Sequence, residues 1–139
     1  MRRLFLATAI LWAAMASAGA DESDVLQGQS VITGQIDAFR SGDNERAYSY
    51  AAPNIKAIFP SVDRFMGMVA NGYKPVQMPQ SYSFGRSREL GDGRIIAQEV
   101  LLVGPDGKDY VALYELLRMQ DGSLKIMSVQ LVPGKAQTT

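Results

Sequence analysis

The 139-residue chain contains no histidine and no cysteine. The first absence removes imidazole acid–base chemistry. The second removes thiol nucleophiles and disulfides, and together they remove the usual zinc and iron–sulfur sites. There is no excess of either charge: 14 basic residues face 14 acidic ones. A broad basic field for nucleic acid is therefore missing. No glycine-rich loop follows a strand and opens a helix, so phosphate-cradling motifs are absent. There is no Gly-x-Ser-x-Gly elbow. Neither is there a Ser-x-x-Lys motif, because Ser41, Ser49 and Ser61 are followed three residues later by Asn44, Ala52 and Arg64. Asn-x-Ser/Thr acceptors are lacking as well.

What remains is 47% hydrophobic and 20% charged, a composition and length for one globular domain. The opening MRRLFLATAILWAAMASAGA places Arg2 and Arg3 before an apolar run from Leu4 to Met15. Small residues at 16, 18 and 20 then precede Asp21 and Glu22. This is the pattern of a secretory signal peptide over residues 1–20, cleaved before Gly19 or Asp21. The run is short for a bilayer span, which takes about 20 residues. The membrane is thus expected to be met only during export, and the location is periplasmic or secreted. Removing residues 1–20 leaves 119 residues with 12 basic and 14 acidic groups. Such a domain must hold together by one apolar core, helped by self-association.

The front half has helical spacing. Ser23 or Asp24 is placed to cap a first helix, in which Ile32, Ile36 and Phe39 fall at i, i+4 and i+7. Gly28 and Gly34 weaken its propensity. Asp43 offers a cap for a short second helix through Ala47 and Tyr50, and Pro53 closes it or opens the next turn. Residues 54–59 make a one- or two-turn segment. Ser61 caps a helix carrying Val62, Phe65, Met66 and Val69, stopped at Asn71-Gly72. Pro75 and Pro79 bracket what reads as an extended linker.

Beyond it the period becomes two. Strands are expected over 81–87, 94–103, 109–119 and 123–132, joined at Gly91-Asp92-Gly93, Gly104-Pro105-Asp106-Gly107 and Asp121-Gly122. Short turns make neighbouring strands antiparallel. The expected fold class is α+β, with N-terminal helices packed on a curved four-stranded antiparallel sheet. The domain is bounded at 21–132, with 133–139 a flexible tail. The expected core is Ile32, Ile36, Phe39, Ile58, Phe65, Val69, Leu113, Leu117 and Val129.

The third strand is apolar on both faces. That suits either a small barrel-like monomer or a homodimer through the sheet's outer face, formed by Tyr110, Tyr114 and Leu116. Leu113 and Leu117 are then assigned to the core.

Gln35-Ile36-Asp37-Ala38-Phe39 followed by Ser41-Gly42-Asp43 and Ala47, with the closing Asp121-Gly122-Ser123-Leu124-Lys125-Ile126, resembles the nuclear-transport-factor-two-like superfamily. That cone-shaped α+β group includes ketosteroid isomerase and polyketide-cyclase-like proteins. The run Ile55 to Pro60, with Phe65, Met68-Val69 and Gly72 to Val76, resembles more narrowly an exported bacterial family of unknown function, typical of alphaproteobacteria. The resemblance covers roughly residues 24–132. It implies a fold, and fold alone does not imply an activity. No catalytic Asp or Tyr of the superfamily finds a matching motif here.

Candidate pocket residues are Tyr48, Tyr50, Tyr82 and Glu115, phenols and a carboxylate able to line the open end of a cone. Tyr73 lies near the same linker. The more ordinary reading makes the phenols partly buried core edges and Glu115 a solvated carboxylate, paired to Arg94 or Lys125. Arg86, Arg88 and Arg94 cluster about one hairpin with Glu89 and Asp92 between them, which reads as solvated surface. The scattered methionines are core fillers. No cofactor and no metal site are expected. The leading reading is an exported non-enzymatic domain that binds a small apolar ligand or a protein partner. The alternative is an isomerase-like or cyclase-like enzyme with a carboxylate and a Tyr in its pocket. A cavity containing both groups would favour the alternative.

Overall fold

A computed structural model describes residues 21–134. The signal-peptide assignment and residues 135–139 of the expected tail lie outside them. Among the described residues five helices precede four strands: α1 (Glu22–Ser41), α2 (Asn44–Ser49), α3 (Pro53–Ile58), α4 (Val62–Gly72), α5 (Lys74–Gln77), β1 (Ser81–Leu90), β2 (Ile95–Val103), β3 (Asp109–Arg118) and β4 (Leu124–Pro133). The sheet is antiparallel throughout and its spatial order is its chain order, β1-β2-β3-β4. The α+β class and the helices-then-meander order are as the sequence implies. No helix among the described residues is long and apolar enough to cross a membrane.

Local chemistry sets the helix limits. Asp21 caps α1, two residues earlier than Ser23, its carboxylate accepting from the Ser23 backbone N–H at 3.2 Å. Glu22 and Asp24 sit in the first turn and Arg40 in the last, the arrangement that complements the helix dipole. Asp43 caps α2 and Ser61 caps α4, each accepting from the N–H three residues on at 3.2 Å. Pro53 opens α3. Pro75 does not belong to an extended linker: it lies in the first turn of α5, where its missing N–H is not needed. The last strand runs one residue past the expected boundary, to Pro133, and the Gly134 N–H donates to the Asp109 carbonyl at 2.8 Å.

The helices cover one face of the sheet. On α1 the buried residues are Gly28, Ile32, Gly34, Gln35, Ile36, Ala38 and Phe39. Ile96, Val100 and Leu102 of β2, Ala112, Tyr114 and Leu116 of β3, and Leu124 and Ile126 of β4 meet them. Five of the expected core residues are buried: Ile32, Ile36, Phe39, Phe65 and Val69. Val129 packs against the core while half-buried.

The face assignment of β3 is the reverse of the expected one. Tyr114 and Leu116 are sealed beneath α1, at 1% and 0% exposure, while Leu113 is 36% exposed on the outside. Leu117 shares the outer parity and is half-buried. Tyr110, half-buried, shares the inner parity, and its hydroxyl donates to Asp106 Oδ2 at 2.7 Å across the β2–β3 turn. Period two separates two faces without saying which one the helices cover, and here β2 decides. Its Ile96, Gln98 and Val100 pair directly with Leu116, Tyr114 and Ala112. Ile58 also leaves the expected core, at 67% exposure on the last turn of α3. The Tyr114 hydroxyl is fully enclosed without a hydrogen-bond partner among the described residues, and burial pushes its pKa up, so the phenol stays protonated.

Two bulges bend the meander. One falls in β1 between Phe84 and Ser87, the other in β4 opposite Glu115 and Leu116. In β4 the buried set changes parity there, from Leu124 and Ile126 to Val129 and Leu131. Adjacent residues of β2 hold the β1 bulge from opposite faces. Gln98, 2% exposed, donates to the carbonyls of Gly85 and Arg86 at 3.3 Å and accepts from Gln29 of α1 at 3.2 Å. On the outer face Glu99 accepts from the Arg86 backbone N–H at 3.1 Å and from its guanidinium at 2.9 and 3.2 Å. A Cβ on Gly85 would lie 3.0 Å from Glu99 Oε1, so glycine leaves room for the carboxylate to cross the bulge.

Candidate functional site

Two concavities stand out, on opposite sides of the sheet. The first is a trough of about 410 Å³ on the outer face, lined by Arg86, Arg88, Glu99, Leu113, Glu115 and Ser128 among others. Two of its charges are already paired with each other. Arg86 and Glu99 form a salt bridge at 2.9 Å, which holds the Glu99 carboxyl below the usual carboxylate range. Glu115 accepts from Ser128 Oγ at 3.0 Å.

The second is an apolar pocket of about 290 Å³ on the helical side, where α1, α3, α4 and α5 converge on β4. Phe39, Phe65 and Val69 form its buried wall, Ile55, Phe59 and Met68 its half-buried sides, and Ile58 its exposed rim. Helical spacing turns Phe65, Met68 and Val69 of α4 to the same side. The short α3, begun by Pro53 and ended before Pro60, lays Ile55, Ile58 and Phe59 across the opening. The chain between α2 and α3 is tied to β4 by backbone bonds, Ile126 N–H to the Tyr50 carbonyl and Ala52 N–H to the Ile126 carbonyl, both 2.8 Å.

The polar groups of this pocket are few and uncharged: Gln35, Asn54, Tyr73 and Ser128. Asn54 Nδ2 donates to the Met127 carbonyl at 3.0 Å, and the Tyr73 hydroxyl to the Val129 carbonyl at 3.1 Å. Ser128 Oγ donates to Glu115, its cross-strand partner on β3. Gln35 is 4% exposed, and its Nε2 donates to the Ala47 carbonyl at 3.1 Å. No Asp, Glu, Lys or Arg is among the lining residues.

The four pocket residues named from sequence do not come together. Tyr48 packs against Phe65 with ring centroids 5.2 Å apart, and its hydroxyl donates to the Phe59 carbonyl at 2.6 Å. It therefore supports the pocket wall from behind. Tyr50 lies against Gly34 of α1. Tyr82 sits on the inner face of β1, edge-on to Phe84 and beneath the Arg40 guanidinium. Glu115 lines the outer trough, so the sheet separates it from the helical-side pocket. Among the described residues no group of three or more Asp or Glu is placed to hold a metal.

Sequence reasoning missed Gln35 and Gln98 as buried groups, although the signal was present. Gln35 lies three residues after Ile32 and four before Phe39, on the apolar stripe. Gln98 shares the parity of Ile96, Val100 and Leu102. A polar residue at a core position is the informative exception.

No curated protein and no solved structure matches the chain. The helices-then-meander domain just described coincides with a family match over residues 21–139, so the chain belongs to the family described as Domain of unknown function (DUF4864).

Proposed function

We propose that the domain is an exported, non-catalytic binder of a small, uncharged and mostly apolar molecule. The observation that carries this reading is the helical-side pocket: about 290 Å³, walled by aromatic and aliphatic side chains, with no carboxylate, lysine or arginine lining it. Ligand sites are commonly concave and apolar with a few convergent polar groups. The space holds about ten water-sized volumes, enough for a small fused-ring compound. The alternative, an isomerase-like or cyclase-like enzyme, needs a carboxylate beside an oxyanion donor. The Tyr73 hydroxyl in this pocket is spent on a backbone carbonyl, and Glu115 lies across the sheet.

The wider placement belongs to the same proposal. Helices on a bent four-stranded meander are compatible with the nuclear-transport-factor-two-like superfamily. The pattern of residues 1–20 supports export to the periplasm, as in an alphaproteobacterial secreted protein. A second copy covering the outer sheet face is the partner we propose for assembly.

Titration with naphthalene, followed by amide NMR, tests the reading. Shifts should concentrate on Phe65, Val69, Ile126 and Val129. Met68→Trp, which fills the mouth, should abolish them while leaving the circular dichroism spectrum unchanged. Shifts absent or scattered over the surface reject the pocket.

A further inference from the structure

Gln35 differs from the other polar groups of the apolar pocket in its depth: it is buried, whereas Asn54 is exposed and Tyr73 and Ser128 are half-buried. Asn54, Tyr73 and Ser128 direct their side-chain donors to protein oxygens. Gln35 does the same with its Nε2, which fixes the amide plane, since only the nitrogen can donate to the Ala47 carbonyl. Its Oε1 then faces the other way and accepts no hydrogen bond among the described residues. The residue is 4% exposed, yet this oxygen is not sealed: among those residues the fully enclosed side-chain polar atom without a partner is the Tyr114 hydroxyl. Gln35 is one of the residues lining the pocket, so the amide that holds this unpaired oxygen borders that space.

From this we infer that Gln35 is the specificity-determining acceptor of the pocket, and that its ligand is a neutral apolar molecule carrying one hydrogen-bond donor, a hydroxyl or N–H, at its buried end. The inference rests on the proposed binding role and adds polarity and orientation to it. The aromatic walls supply affinity without direction, because apolar burial is non-directional. A deeply buried acceptor among apolar groups supplies direction, and a ligand lacking the donor leaves that acceptor desolvated and unmatched. A ligand offering only an acceptor sets oxygen against oxygen. A cation finds no carboxylate in the lining, and an anion finds no Lys or Arg.

Three probes of one ring shape test this: naphthalene, 2-naphthol and 2-methoxynaphthalene, titrated into the purified protein. The expected result is that 2-naphthol binds roughly five- to tenfold more tightly than the other two, the range one net hydrogen bond provides. The Gln35 side-chain carbonyl carbon should shift in NMR with 2-naphthol only. In Gln35→Met the three affinities should converge to within about twofold. Since that variant also frees the Ala47 carbonyl and can weaken the fold, the wild-type carbonyl shift is the independent reading. Equal binding of all three by the wild type, or a preference for 2-naphthol that survives in Gln35→Met, overturns the inference and leaves the pocket standing. No binding of any probe overturns the pocket itself.

Discussion

Gly28 and Gly34 are both buried in α1, and the sequence presents them as two equal weaknesses in a helix. Their surroundings separate them. A Cβ on Gly28 would meet Leu116, Leu124 and Ile96 at 3.7–3.8 Å, ordinary contact. A Cβ on Gly34 would lie 2.4 Å from the Tyr50 phenol oxygen and 2.7 Å from its ring carbon Cζ. Gly28→Ala should therefore stabilise the protein by about 0.5–1 kcal/mol, the usual helix-interior difference. Gly34→Ala should destabilise it by about 1–3 kcal/mol, because Tyr50 must leave its seat. Urea denaturation of both variants checks the pair, and equal shifts in midpoint would refute the distinction. Composition can show that a helix contains glycine. Only the tertiary neighbour at position 50 shows which glycine is required. For the same reason Tyr50 was legible as a phenol near a helix end, but not as packing against α1.

At the scale of elements, most of the secondary structure was legible because local chemistry carries it. Asp43 and Ser61 cap the helices expected of them. Gly91, Asp92 and Gly93 take three successive positive φ angles, so their turn was marked by residues suited to that region. The bulges were not legible, since nothing local announces an extra residue in a strand. The β1 bulge gives a pH prediction. Arg86, through its guanidinium and its backbone N–H, lowers the Glu99 pKa below that of the unfolded chain, so the unfolded state binds the extra proton in acid. The stabilising contribution is complete above the ordinary carboxylate pKa near 4.5 and is lost as pH falls through the lower folded value. Glu99→Gln should flatten the acid limb of the stability–pH curve and change little in its slope near neutrality. Thermal melts between pH 3 and 7 measure this, and an acid limb parallel to wild type would show that Glu99 does not hold the bulge.

For the molecule as a whole, the outer sheet face is where assembly is to be sought, with the residues corrected. Leu101 and Leu113, 44% and 36% exposed, present the apolar surface there, while Leu116 is core. The proposed export and pairing predict an intact mass starting at Gly19 or Asp21 and, by light scattering of the same preparation, twice that mass. Leu113→Asp should halve the scattering mass and leave the circular dichroism spectrum unchanged. A single-chain mass for the wild type at tens of micromolar rejects the dimer, and a retained Met1 rejects cleavage. Which face of β3 points outward could not be read from β3 alone. The register with β2 and the position of α1 decide it, and both are long-range facts.

The seating of α1 also has a kinetic side. Its first turns are fastened to the far end of the chain: Gln27 Nε2 donates to the Gly122 carbonyl across 95 positions, and Arg118 reaches Asp24 at 2.7 Å across 94. The hairpins of β1 to β4 close between sequence neighbours, whereas α1 has no complete sheet to lie on until β2, β3 and β4 exist. A chain made from its N-terminus at about 5–20 residues per second therefore carries the apolar stripe of Ile32, Ile36 and Phe39 uncovered for several seconds. That interval is when the stripe is most open to association with other chains.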